Sequence, residues 1–317
     1  MKSKLAIFLL SIVSLGINPP LFSQSGLKKP KKSDEKSFHF LVIGDWGRNG
    51  QVAQGTVAKE LGKYNETFGA KFVMSEGDNF YCCGVASVDD PQWMSSFENV
   101  YNNQSLQIDW YAVLGNHDYE GNAQAEVDYT HKSRRWNMPA RYYTVQKPIG
   151  KKDTALFVFL DTNPWIEKYL QESENYDHIK REWGERELAW LDSVLSHSAE
   201  RWKIVTGHHP LYSTGTEHGN QPELIEKLKP LFDKYHVDAY FSGHEHDLQY
   251  QLPAGSTVNY FISGAGAEVR PTGSLSGQTK FSAAIPGFMA VSITEKDMVV
   301  KIIDEKGKTL YETTIPK

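Results

Sequence analysis

Five short clusters hold the side chains that could do chemistry: Gly44-Asp45-Trp46-Gly47, Gly77-Asp78-Asn79-Phe80-Tyr81, Gly115-Asn116-His117-Asp118, Gly207-His208-His209-Pro210 and Gly243-His244-Glu245-His246. Each opens on glycine, which lets backbone turn sharply or approach an ion closely. Between them they supply carboxylates, an amide, a phenol and imidazoles without requiring a thiolate. That donor set suits iron, manganese or zinc in a hydrolytic role. Taken singly, Asp45 reads equally well as a helix N-cap and Asn116 as a turn residue. A Gly-His-x-His pattern, however, is expected by chance only about 0.03 times in a chain of this composition, and structure alone gives no reason to place four histidines this way.

The clusters follow segments that look like buried strands. Phe38–Ile43, Phe72–Ser75, Tyr111–Leu114, Leu156–Leu160, Lys203–Thr206, Ala239–Ser242 and Asn259–Ser263 are short, apolar, and rich in β-branched or aromatic residues. Between several of them lie helix-patterned stretches. Ile179–Leu195 places Leu188, Leu191 and Leu195 on one face, and Pro222–Tyr235 does the same with Leu224, Leu228, Leu231 and Phe232. This alternation predicts an α/β protein whose strand carboxyl ends, the usual ligand edge of such sheets, carry the polar clusters. Phe288–Ile293 and Met298–Ile303 read as an antiparallel hairpin, with a further strand near Thr309–Ile315.

The 317 residues, 40% of them hydrophobic, can build a sizeable core, so a disordered chain and a disulfide-stapled miniature are both excluded. A formal charge of −5 without a run of like charges argues against a nucleic-acid-binding surface. Met1, Lys2 and Lys4, the 13-residue apolar run Leu5–Ile17 and Ser23 read as a secretory signal over residues 1–23. That run is shorter than the roughly 20 residues of a membrane span, although an uncleaved anchor is the alternative. Cleavage would remove Lys2 and Lys4 and take the charge to −7. Residues 24–37 then form a solvated tether and 38–317 the domain, in a secreted or periplasmic protein whose oligomeric state the sequence leaves open, with a monomer the first expectation. The two cysteines, Cys82 and Cys83, are neighbours, and either a vicinal disulfide or two small loop residues is open. Sequons occur at Asn65 and Asn103.

From about Phe38 onward the chain resembles the small purple acid phosphatases, the tartrate-resistant type, within the calcineurin-like metallophosphoesterase superfamily. The resemblance rests on the five clusters in order, together with Gly84-Val85, Glu217-His218-Gly219 and Leu248-Gln249. It implies a four-layer α/β sandwich, two mixed β-sheets flanked by helices, with a dinuclear site at the sheet edge. By the same resemblance Asp45, Tyr81 and His246 would hold Fe(III), and Asn116, His208 and His244 a divalent Fe, Zn or Mn, with Asp78 bridging. Tyr81 is the discriminating residue, because most of the superfamily lacks a phenolate ligand. His117 and His218 would contact phosphate and help to protonate the leaving group.

The implied activity is hydrolysis of small phosphate monoesters by a metal-activated hydroxide. A phosphodiesterase or nucleotide pyrophosphatase with two divalent ions is the nearest alternative, and a catalytically dead binding protein a remote one. His209 stands where relatives carry an aromatic residue, which would alter the rim of the site. The acidic segment Asn163–His178 would repel highly charged phosphates.

Overall fold

The computed structural model describes residues 37–172, 176, 178–274 and 277–317. The leader expected over 1–23 and all but Ser37 of the tether lie outside the described residues. Fourteen strands are described: β1 Phe38–Ile43, β2 Phe72–Ser75, β3 Asp109–Ala112, β4 Trp136–Asn137, β5 Tyr143–Ile149, β6 Asp153–Leu160, β7 Trp202–Gly207, β8 Ala239–Ser242, β9 Leu248–Gln251, β10 Asn259–Ser263, β11 Thr279–Ala283, β12 Gly287–Ile293, β13 Asp297–Asp304 and β14 Thr309–Pro316. They form two seven-stranded mixed sheets, ordered β14-β13-β12-β1-β2-β3-β4 and β11-β9-β10-β8-β7-β6-β5. In the first, β1 to β4 run parallel; in the second, β6, β7, β8 and β10 do. The C-terminal hairpin pairs Gly287 with Asp304 through Ile293 with Met298, and its first strand adds antiparallel to β1.

The fully buried strands β2, β8 and β10 have apolar centres, Phe72–Met74, Ala239–Phe241 and Tyr260–Ile262, as expected of parallel strands covered on both faces. Aromatic rings join the two sheets. Phe40 of β1 meets Phe157 of β6 edge-on at 5.3 Å and Phe241 of β8 at 6.1 Å, and Phe72 of β2 meets Phe157 at 5.1 Å. At the carboxyl ends the sheets are joined by two hydrogen bonds: Gly44 N donates to Ser263 O at 2.8 Å, and the Ser263 side-chain Oγ to Val42 O at 3.0 Å. A Cβ on Gly44 would come within 2.9 Å of the Glu76 side chain, so glycine permits this approach.

Helices Gln54–Phe68, Arg181–His197 and Pro222–Tyr235 supply the flanking layers. In the second, Leu191 and Leu195 are buried and Leu188 only half so; in the third, Leu224, Leu228 and Phe232 are buried and Leu231 is marginal. Asn65 is no exposed sequon. It is buried at the end of the first helix, where Nδ2 donates to Ser105 O at 2.7 Å and Oδ1 accepts from Ala70 N. Among the described residues no helix is long and apolar enough to cross a membrane.

Candidate metal centre

The carboxyl ends of β1, β2, β3, β7 and β8 meet at one edge, where all seven expected ligand side chains come together. Asp45, Asp78, Tyr81, Asn116, His208, His244 and His246 are each no more than 8% exposed. Three of them, Asp45 (φ 58°), Asp78 (φ 48°) and His244 (φ 69°), adopt left-handed backbone without being glycine. Such positions cost about 1–3 kcal/mol each and persist where the surrounding structure enforces them, commonly at functional sites.

The side chains sort into two groups around Asp78. The Tyr81 hydroxyl lies 3.0 Å from Asp45 Oδ1, 3.0 Å from His246 Nε2 and 2.7 Å from Asp78 Oδ2. On the other side, Asn116 Oδ1 lies 3.2 Å from His208 Nε2 and 3.1 Å from His244 Nδ1, and Asp78 Oδ1 is 3.4 Å from His208 Nε2. The two Asp78 oxygens thus face different groups. Backbone amides complete the carboxylates: His117 N donates to Asp78 Oδ1 at 2.9 Å, and His244 N reaches Asp45 Oδ2 at 3.0 Å.

Protein atoms alone satisfy this cluster poorly, and that supports a fit to cations. His208 Nδ1 donates to Glu76 O at 2.8 Å, which directs Nε2 into the cluster, where it stands 3.2 Å from His244 Nδ1. The buried Nδ1 of His246 has no hydrogen-bond partner among the described residues. Burial pushes the Asp45 carboxyl and the Tyr81 phenol well above their usual ranges, and the neighbouring carboxylates add to both effects. For Asp78 burial acts upward, but the adjacent His208 wins and holds the carboxyl below its usual range. His208 is opposed by burial yet raised to about 10 by Asp78, whereas burial drives His244 well down and His246 to about 3. Two neutral imidazoles, His244 and His246, and a third, His208, whose proton a cation could replace are what a cation-binding site presents before it exchanges protons for ions.

A second set of residues positions these groups. Asp118 Oδ1 accepts from Asn79 N at 2.8 Å and Phe80 N at 3.2 Å, while Oδ2 accepts from Gly115 N at 2.7 Å, which ties the β2 loop to the β3 turn. Trp46 donates to Ser75 Oγ at 2.8 Å and packs edge-on against Phe80, Tyr101 and Trp110. The Arg48 guanidinium lies 3.7 Å from the Tyr81 ring centroid, placing a cation on its electron-rich face. Glu245 is buried beneath the loop that carries His218, and its Oε1 accepts from Gly219 N at 2.8 Å and Ser213 Oγ at 3.1 Å. Sequence reasoning missed Arg48, Glu76, Asp118 and Glu245 as supports, although all four lie beside or within the glycine-led clusters.

His117 and His218 flank a pocket of about 200 Å³ above the cluster. The His117 ring lies 4.7 Å from Tyr81 and its Nδ1 donates to Cys82 O at 2.8 Å, so Nε2 is left free of that bond. The His218 ring lies 4.2 Å from His244, and its Nε2 is 3.5 Å from Arg270 Nη1. His209 is not on the rim. It is fully buried between Thr162 Oγ1 at 2.7 Å and the Tyr169 hydroxyl at 3.0 Å, and links the β7 loop to the pocket wall. From the segment expected to be repulsive, the described residues lining the pocket are Lys168, Tyr169 and Tyr176, none of them acidic. Cys82 and Cys83 are joined as a vicinal disulfide.

Residues 38–248 match the family described as calcineurin-like phosphoesterase. The chain is 35% identical over 304 residues to tartrate-resistant acid phosphatase type 5 of Oryctolagus cuniculus, covering 89% of this chain and 91% of that protein. It is 36% identical over 300 residues to purple acid phosphatase 17 of Arabidopsis thaliana, covering 91% and 87%. In fold it is similar to GAP50 of Plasmodium, with a TM-score of 0.77 at 24% identity over 88% of this chain and 89% of that one. It also resembles purple acid phosphatase PPD1 of yellow lupin, with a TM-score of 0.64 at 16% identity over 88% and 54%.

Proposed function

The chain belongs to the calcineurin-like phosphoesterase family and, within it, to the purple and tartrate-resistant acid phosphatases, and from that premise we propose that it hydrolyses phosphate monoesters at a dinuclear Fe(III)–M(II) centre. The observation that carries the proposal is the division of seven buried donors into two groups that share Asp78. Asp45, Tyr81 and His246 would hold the trivalent ion. Asn116, His208 and His244 would hold the divalent one, an Fe, Zn or Mn. When bound, the pair would supply a water of lowered pKa as nucleophile and positive charge facing the phosphoryl oxygens.

The remaining work falls to the chain. Tyr81 and the carboxylates bring negative charge that favours a trivalent over a divalent ion in their group, while neutral Asn116 and two imidazoles leave the other group suited to a divalent one. His117, held through Nδ1 by Cys82 O, presents Nε2 toward the pocket as a phosphate contact. His218 stands where a protonated imidazole would deliver its proton to the departing alkoxide. The donor side chains are buried beneath the pocket that His117 and His218 flank. Export, on the strength of the pattern over residues 1–23, belongs to the same proposal.

The test compares initial rates of the metal-loaded protein on an aryl phosphate monoester and on the matching bis-aryl diester. A monoester preference of about 10²-fold or more is expected, as a diester lacks the second phosphoryl charge that the ions and His117 face. Equal rates, or a preference for diester, would replace the proposal with a phosphodiesterase.

A further inference from the structure

The Cys82–Cys83 disulfide joins neighbouring residues beside the metal centre. A bridge between neighbouring residues closes only a small ring and removes almost no chain entropy from the unfolded state, so it adds little to global stability. Both residues are exposed, and so open to an attacking thiolate. Their position is what distinguishes them. Tyr81, directly before the pair, sets its hydroxyl between Asp45, Asp78 and His246. The Cys82 carbonyl accepts from His117 Nδ1 at 2.8 Å. The turn then packs tightly on the chain that follows His117: a Cβ on Gly121 would lie 2.5 Å from Cys83 O, and one on Gly84 2.6 Å from Asp118 O. The disulfide ring therefore fixes the one turn that both carries Tyr81 and anchors His117.

We propose that Cys82–Cys83 is a thiol–disulfide exchange site for a small dithiol, and that opening it releases His117 from its phosphate-facing position. The inference rests on the phosphatase reading of the site. In the exchange, one thiolate of the dithiol attacks a sulfur of the pair, the Cys82–Cys83 bond breaks, and a mixed disulfide forms. The second thiol of the reagent closes on that intermediate. Two electrons and two protons pass to the chain, which leaves Cys82 and Cys83 as thiols and the reagent as a cyclic disulfide. Freed from the ring, the Cys82 peptide can rotate, and its carbonyl no longer holds the His117 imidazole, whose Nδ1 can then turn to Glu120 Oε1, 3.3 Å away.

The test uses the native, metal-loaded protein with dithiothreitol, read by thiol titration after reagent removal, by binding of inorganic phosphate, and by kcat/KM on an aryl phosphate. Two thiols per chain are expected to appear with the far-ultraviolet circular dichroism unchanged. Phosphate affinity and kcat/KM should each fall about tenfold, the scale of a modest displacement of a positioned group, and reoxidation with oxidised glutathione should restore both. The double variant Cys82→Ser/Cys83→Ser should hold the low values and ignore the reagent, which separates exchange at the pair from action of the reagent on the metal ions. Failure to release thiols from the native protein, two thiols with both values unchanged, or a double variant that responds like the wild type would each overturn the inference. An oxidised wild type that hydrolyses no monoester would instead overturn the phosphatase reading, and the thiol count and phosphate affinity would still decide the exchange site.

Discussion

Asp78→Asn is expected to lower kcat/KM for an aryl phosphate by about 10³-fold or more, the scale of losing a group on which the whole charge-stabilising constellation depends. Asp78 is 1% exposed and faces the Tyr81 hydroxyl with Oδ2 and His208 with Oδ1. An amide keeps the size but loses the charge, and it offers one oxygen where the carboxylate offers two. Asparagine is the informative substitution because it tolerates the left-handed backbone at this position (φ 48°), whereas alanine would add strain to the loss of the ligand. Bound metal should fall below two ions per chain in the same sample. Activity retained to within about tenfold, at full metal content, would show that Asp78 does not join the two groups.

The second large effect concerns the leaving group. His218→Asn is expected to reduce turnover of an alkyl phosphate by about 10²-fold and that of a nitrophenyl phosphate by far less, because only the alkoxide needs a proton as it departs. The geometry supports that role: the exposed His218 ring lies 4.2 Å from that of His244, and its loop is pinned by Glu245 through Gly219 N. Partial desolvation holds the imidazole below its usual pKa. An equal loss on both substrates, read from kcat rather than KM, would make His218 a phosphate contact and not a proton donor.

Much of this site was legible in the chain because its signals are local. A strand, a glycine and a polar side chain lie within a few residues of one another at Asp45, Asp78, Asn116, His208 and His244, and the structure places all five at strand ends. Patterns of burial were read better than patterns of pairing. Tyr111–Leu114 was expected as a strand, whereas β3 is Asp109–Ala112; Val113 and Leu114 are buried beyond the ladder, and hydrophobicity reports burial only. Strand β5 escaped because its outward positions Thr144, Gln146 and Pro148, with Lys147 on the inner face, dilute any apolar run. Strand β9 escaped because Gln249 and Gln251 are buried polar residues, with Gln249 bonded to Asp247 and Ser213.

The supports were illegible for a different reason. Asp118 matters through Asn79 and Phe80, 39 and 38 residues away, and His244 N meets Asp45 across 199 residues. No spacing rule carries such contacts. The same holds for the left-handed backbone at Asp45, Asp78 and His244, which the packed sheet edge imposes against local preference. His209 shows how an exchange of residue type can mislead: a polar side chain looked like a rim residue, but two buried partners, Thr162 and Tyr169, satisfy both ring nitrogens in the interior.

The most direct measurement is the metal content and visible absorption spectrum of the purified protein beside Tyr81→Phe. Tyr81 is the only phenol among the seven clustered donors, and a phenolate on Fe(III) is the source of a visible charge-transfer band. The expected result is two metal ions per wild-type chain, at least one of them iron, with a visible band that Tyr81→Phe removes. A colourless wild type carrying two zinc or manganese ions, or a band that survives Tyr81→Phe, would contradict the assignment of Tyr81 and the trivalent ion.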